Sequence, residues 1–83
     1  MADQNTFHLI IASVGETFFD GAASSATFPT SNGEITVLPH HEAFVTTLQA
    51  GKILVHAPSH EAKVFEVTSG VLEISANRAT VLL

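Results

Sequence analysis

The chain has 83 residues and a formal net charge of −5, which fits one small domain over residues 1–83 and argues against two classes of partner. Nucleic acid needs clustered cationic side chains, and the only lysines and arginines are the scattered Lys52, Lys63 and Arg78. An acidic chain is equally unsuited to direct attraction by an anionic bilayer.

The apolar content predicts a folded protein with some surface reserved for a partner. Hydrophobic residues make up 46% of the chain and charged residues only 13%. Disordered chains have the opposite balance, and so little polar material cannot cover a whole surface.

Compartment signals predict a soluble cytoplasmic protein without direct membrane insertion. The sequence has no cysteine, which suits a reducing environment. No basic segment precedes the first apolar run, and that run, 9–12, is too short to cross a bilayer.

Short runs of β-branched and aromatic residues between turn formers predict an all-β fold without helices, a sandwich or barrel. Gly21 interrupts the pattern and predicts a bulge or a close approach of two backbones. Residues 22–28 have weak strand propensity, so pairing with other strands must hold them extended. In chain order the predicted strands are 7–13, 17–19, 22–28, 34–38, 43–48, 52–57, 63–68, 71–75 and 79–83.

Two turns stand out. Residues 29–33 end in Asn32-Gly33, a pair that readily takes positive φ and predicts a tight reversal. Residues 39–41 are Pro-His-His, and Pro39 denies a donor to any sheet ladder, so these residues predict a corner between two strands.

Five histidines raise the possibility of a metal site. His56 and His60 have a spacing that unites two ligands on a helix, but on a strand and turn it separates them. His40 and His41 are adjacent in an extended segment and should point apart. The favoured prediction is surface and turn histidines, His8 included, with a histidine-based metal-binding protein as an alternative.

The residues also predict a non-enzyme without a cofactor. No Gly-x-Ser-x-Gly elbow or phosphate-binding loop occurs. Glu61, Glu66 and Glu73 fit the solvated face of alternating strands better than an acid-base pair. Glu34 differs, because a carboxylate beside the Gly33 turn is well placed to meet a cationic or polar partner.

Motifs along nearly the whole chain resemble the epsilon subunit of rotary F-type ATP synthases. Each motif is weak alone, and their order and spacing together make the resemblance specific. They are the opening strand 7–13, Phe19-Asp20-Gly21, the block 33–46 with Gly33-Glu34, Pro39 and His41, and the closing stretch 67–74 followed by Asn77 and 80–82.

The resemblance implies a ten-stranded flattened β-sandwich that acts as a rotor subunit in the central stalk of a proton-translocating ATP synthase. Its partners would be the gamma subunit and the c-ring, at the cytoplasmic face of the bacterial cell membrane. By carry-over, Asn32, Gly33 and Glu34 would contact the c-ring. The gamma-facing residues would be Ser13, His41 and Thr46.

The chain departs from the family pattern in three places. Residues 41–44 lack the proline that the family has there. The family's Ser-Gly-Gly turn keeps only one glycine here, Gly70 beside Ser69. The helical hairpin that inhibits hydrolysis is also missing, so we expect a natural minimal epsilon that couples without inhibiting; an expressed fragment is the alternative. A free-standing β-sandwich adaptor is the alternative function.

Overall fold

Short strands joined by tight turns form the structure. The computed structural model describes residues 5–58 and 60–83, with only the main chain at His60. Those residues form nine strands and no helix, which confirms the all-β prediction and corrects the expected count of ten strands. The strands are β1 (Phe7–Ser13), β2 (Glu16–Ala23), β3 (Ser25–Thr30), β4 (Gly33–Val37), β5 (Phe44–Leu48), β6 (Gly51–Ala57), β7 (His60–Val67), β8 (Gly70–Ser75) and β9 (Arg78–Leu82).

The early part of the chain differs most from the prediction. β2 continues to Ala23, and the chain bends at Ser24 before β3 begins. The predicted bulge at Gly21 is wrong, because Gly21 pairs regularly with Leu9. The irregularity lies closer to the turn, where Ile11 pairs with Phe19 and Ala12 pairs with Thr17. Phe18 is therefore the extra residue, and its side chain is exposed.

The strands form one continuous sheet that curls back on itself. Its order is β2-β1-β9-β8-β5-β3-β6-β7, with β4 paired to the other edge of β3. We call β2-β1-β9-β8-β5 layer A and β4, β3, β6 and β7 layer B. A single residue pair, Thr30 with Leu48, joins β5 to β3. The sheet turns from layer A into layer B at this pair. β1 and β9 pair in parallel, whereas their other neighbours are antiparallel.

The two extreme strands of this order meet, which closes the layers over the core. The rings of Phe19 on β2 and Phe65 on β7 lie with centroids 6.0 Å apart in an edge-to-face arrangement. The Lys63 Nζ lies 5.9 Å from the centroid of the Phe19 ring, which adds a cation–π contact on the solvent side.

Alternation along each strand places the core between the layers, as the sequence predicts. Phe7, Leu9 and Ile11 all point inward from β1, and β6, β8 and β9 repeat the pattern. Each fully buried large apolar side chain contributes about 1.5–3 kcal/mol relative to exposure. The largest of them are Phe28, Leu9, Ile11, Ile53, Leu72, Val37, Val55 and Val81.

The strand registers define two ends of the sandwich. One end, which we call the hairpin end, carries the turns at 14–15, 31–32, 49–50 and 68–69 together with Leu83. The opposite end, which we call the corner end, carries Ser24, residues 38–43 and the turn at 76–77. Loops at the ends of a rigid sandwich are its natural contact points.

Candidate interface sites

The turn between β3 and β4 is held by one buried hydroxyl. Thr30 is fully buried, and its Oγ1 donates to the carbonyl oxygen of Gly33 while accepting from the backbone N–H of Asn32 at 3.1 Å. Gly33 has φ of +105°, a conformation that glycine adopts without steric cost. The tip formed by Asn32, Gly33 and Glu34 is therefore an exposed but well-defined hairpin.

Backbone contacts tie this hairpin to the neighbouring strands. The N–H of Ser31 donates to the carbonyl oxygen of Thr47 at 3.1 Å, and the side-chain hydroxyls of the same residues also hydrogen-bond. The N–H of Gln49 donates to the carbonyl oxygen of Pro29 at 2.9 Å. The hairpin thus moves with β5 and cannot swing as a free loop.

Glu34 presents an exposed carboxylate beside that tip. Its side chain is exposed, and within residues 5–58 and 60–83 no cationic side chain forms an ion pair with it. A fixed carboxylate of this kind is available to a cationic or polar group on another molecule. Asn32, Gly33 and Glu34, predicted as one contact surface, are contiguous in space as well as in sequence.

The Pro-His-His corner lies between β4 and β5, outside both strands, as predicted. His40 has φ of +65°, and its N–H donates to the Oδ1 of Asn77 at 2.7 Å. The Nδ2 of Asn77 donates to the carbonyl oxygen of Thr6 at 3.0 Å. Asn77 therefore clamps the corner to the start of β1. Sequence reasoning missed this role, although an asparagine in a tight turn was a usable signal.

The residues carried over as gamma-facing are spread along layer A. His41 lies half-buried at the corner end, with its ring centroid 6.2 Å from that of Phe44. Thr46 is half-buried in β5 opposite Leu72. Ser13 lies at the hairpin end, and β8 and β9 separate its strand from β5. Ser13 therefore shares an end with the Asn32 hairpin, and His41 does not.

Layer A also carries an exposed apolar patch that strand-by-strand reasoning did not resolve. Val71 pairs with Leu82, which pairs with Ala12, and Val45 lies diagonally from Val71 on β5. Val45 is 65% exposed and Leu82 is 58% exposed. We call Val45, Val71, Leu82 and Ala12 the outer patch. This patch agrees with the prediction from composition that some apolar surface remains outside the core.

The histidines are dispersed. His8 Nε2 lies 2.5 Å from an Asp20 carboxylate oxygen on the exposed face of layer A. The exposed His56 uses its carbonyl oxygen to accept the N–H of Ser24 at 2.7 Å. The side chain of His60 lies outside the described residues. Over the described chain, no three histidine or acidic side chains come together as metal ligands.

Comparison with known families decides the classification. The family model described as "ATP synthase, Delta/Epsilon chain, beta-sandwich domain" matches residues 6–83. The chain belongs to this family. The prediction from the sequence motifs is therefore confirmed, and so is the prediction of a non-catalytic subunit type.

The curated relatives that the chain matches are named as epsilon chains. The "ATP synthase epsilon chain" of Nitrosospira multiformis is 32% identical over 76 residues, covering 92% of this chain and 55% of the relative. That of Delftia acidovorans is 30% identical over 78 residues, covering 94% of this chain and 56% of the relative. The chain spans about half the length of the curated relatives it matches.

Solved structures share the fold at lower identity. A chain in the Euglena gracilis mitochondrial ATP synthase OSCP/F1/c-ring structure superposes with a TM-score of 0.86 at 19% identity, covering 94% of this chain and 50% of that one. A chain of the Tetrahymena thermophila mitochondrial ATP synthase central stalk and c-ring gives 0.78 at 18% identity, covering 90% and 60%. Within the described residues of our chain, no helix is long and apolar enough to cross a membrane.

Proposed function

We propose that residues 1–83 form a non-catalytic domain in the central stalk of a proton-translocating F-type ATP synthase. The domain links the gamma subunit to the c-ring, so that ion-driven rotation of the ring is passed to gamma and coupled to ATP synthesis. The family match over residues 6–83 carries this proposal. The complex would lie at the cytoplasmic face of a bacterial membrane, with this domain as a peripheral part.

Rigidity supports a coupling role. A stiff body transmits rotation with little twist between its two contacts. A closed two-layer sheet with a continuous core resists bending and shear. The contact between Phe19 and Phe65 closes the open side of the layers, and the Thr30 hydroxyl fixes the hairpin tip. A coupling of this kind needs two adhesive surfaces and no reacting group.

The hairpin tip is the proposed c-ring contact. Asn32, Gly33 and Glu34 are exposed at one end of the sandwich and anchored to β5 through Ser31. The Glu34 carboxylate, which has no ion-pair partner among the described residues, suits the polar loops of the c subunits, because a charge that loses water at an interface needs a complementary partner.

The gamma contact is proposed along layer A. Ser13, His41 and Thr46 span this layer from one end to the other, so the partner would be an extended surface rather than a single loop. The outer patch supplies apolar area on the outward face of this layer, and a lasting subunit interface requires apolar area. Thr46 projects from the opposite face of β5, because it pairs with the buried Leu72.

Charge reversal tests the c-ring contact. Glu34→Lys should weaken retention of the domain on purified c-ring by at least about tenfold, equivalent to 1.4 kcal/mol. The unfolding midpoint should stay unchanged, because the side chain is exposed. Pull-down of c-ring and of gamma from the same genome, each measured separately, provides the readout.

Glu61→Lys is the matched control, since it reverses an exposed carboxylate on β7. It should leave c-ring retention intact. Equal retention of Glu34→Lys and the parent chain contradicts the proposed contact. Failure of the parent chain to bind either gamma or c-ring contradicts the proposed function as a whole.

A further inference from the structure

We propose that Asn32 is a site of spontaneous deamidation in the folded protein. In this reaction the deprotonated backbone nitrogen of Gly33 attacks the side-chain carbonyl carbon Cγ of Asn32. A new C–N bond forms, the bond to the side-chain nitrogen breaks, and ammonia leaves with the proton. Water then opens the cyclic imide at either carbonyl, giving aspartate or isoaspartate. The balance is amide plus water to acid plus ammonia, without a redox partner.

The structure leaves both reacting groups accessible. Asn32 and Gly33 are exposed at the tip of the hairpin. A Cβ built at Gly33 would have no neighbour within 4 Å outside the two adjacent residues, so the space beside this glycine is open. In the part of the chain that the structure describes, the Asn32 carboxamide makes no hydrogen bond, and only its backbone N–H is held, by Thr30.

Asn77 supplies an internal contrast. Both ends of its carboxamide are held, with Oδ1 accepting from His40 and Nδ2 donating to Thr6. The next residue is Arg78, which, unlike glycine, carries a side chain beside the nitrogen that would attack. Among the described residues, the carboxamide of Asn32 is therefore free and that of Asn77 is restrained, although both residues lie in tight turns.

The rate of deamidation is limited by opening of the last residue pair between β3 and β4. Gly33 pairs with Thr30 in the last residue pair before the turn. Cyclisation needs this pair to open, and end pairs of a ladder open at far lower cost than the core strands. Deamidation thus proceeds without unfolding the domain.

The products change the surface proposed to contact the c-ring, and this consequence depends on that proposed function. Aspartate places a second negative charge close to Glu34. Isoaspartate adds a methylene to the main chain and so breaks the two-residue geometry of the turn. Deamidated protein should therefore bind the c-ring more weakly.

The test is a time course on the purified, folded chain at mildly alkaline pH. Cleavage after glutamate isolates Asn32 in residues 17–34 and Asn77 in residues 74–83. The first peptide should gain about 1 Da, the change from amide to acid, at a rate at least about tenfold higher than the second. Equal rates overturn the proposal, and so does conversion of Asn32 only in denaturant.

Asn32→Gln is the matched control, because it keeps an exposed carboxamide but must form a larger ring. The peptide 17–34 of this variant should not change mass over the same period; an equal gain overturns the proposal. Aged parent chain, but not aged Asn32→Gln, should lose c-ring retention. Mass gain without any loss of retention leaves the modification site standing and counts against the proposed hairpin contact.

Discussion

Thr30 is the only fully buried polar residue among those the structure describes, and its hydroxyl has a specific task. It bridges the N–H of Asn32 and the carbonyl of Gly33, the two residues at the tip of the hairpin. Because the Thr30 side chain is fully buried and both bonds are part-buried, solvent replaces a lost hydroxyl only in part.

Thr30→Val should therefore lower the free energy of unfolding by about 1–3 kcal/mol, since the side-chain shape is kept and only the hydrogen bonds are lost. Urea unfolding measures the change. Thr36→Val is the control, because the hydroxyls of Thr36 and Thr27 pair 3.0 Å apart at an exposed position. That loss should stay within about 0.5 kcal/mol, and equal losses for the two variants would contradict the bridging role.

Sequence reasoning at the scale of residues succeeded where chemistry is local. Asn32-Gly33 predicted the turn because glycine adopts positive φ without steric cost, and Pro39 predicted the corner because its ring fixes φ and removes a ladder donor. The role of Thr30 could not be predicted, since its burial depends on pairing with Leu48 across the fold between layers. The clamp at Asn77 was missed for the same reason, because its partners His40 and Thr6 are distant in sequence.

Strand β9 shows how an element divides its two faces. Val81 is 0% exposed and packs in the core, whereas the next residue, Leu82, is 58% exposed in the outer patch. Adjacent residues on a strand point in opposite directions, so similar aliphatic side chains meet different surroundings.

Val81→Asp should remove more than about 4 kcal/mol of stability and leave the domain unfolded, because an unpaired carboxylate would be buried. Leu82→Asp should keep a cooperative unfolding transition with a midpoint close to that of the parent. Circular dichroism with urea titration distinguishes the outcomes. A folded Val81→Asp domain, or an unfolded Leu82→Asp domain, would contradict the assignment of the two faces.

The buried faces of β1, β6 and β8 follow period-two patterning, which is encoded within each strand. The limits of β2 and β3 were less predictable, because Ala- and Ser-rich residues adopt the extended form only through pairing. The displaced irregularity at Phe18 follows from the register of β2 against β1, which strand patterns do not specify.

At the scale of the whole molecule, the two proposed contacts differ in position at Glu34 and His41, although Ser13 shares an end with the Asn32 hairpin. Glu34 lies at the hairpin end and His41 at the corner end, and no contact joins the two residues in the described chain. Changes at distant sites without shared partners usually act independently.

We expect His41→Ala to weaken gamma binding without affecting c-ring retention, and Glu34→Lys to do the reverse. In a double variant, the two changes in binding free energy should add within about 0.5 kcal/mol. Titration of each variant into an assembly of gamma and c-ring measures these binding free energies. A larger coupling would mean that the two ends communicate through the sandwich, which a rigid body does not permit.

At this scale the sequence motifs, rather than strand patterns, predicted the architecture. Nothing in residues 7–13 or 78–82 by themselves indicates that they pair in parallel, or that β3 serves as the neighbour of β4, β5 and β6. Long-range order depends on the energy of the whole packing, and the resemblance to a known family implied the sandwich but not these strand pairings.

The parallel pairing of β1 with β9 has a consequence for biosynthesis. Layer A has a gap beside its first strand until residues 78–82 arrive to fill it. A nascent polypeptide must therefore wait for β9 to leave the ribosome, with Leu9 and Ile11 uncovered in the meantime. Chaperones that recognise aliphatic side chains have their opportunity during that interval, and a translational pause before residue 78 would lengthen it.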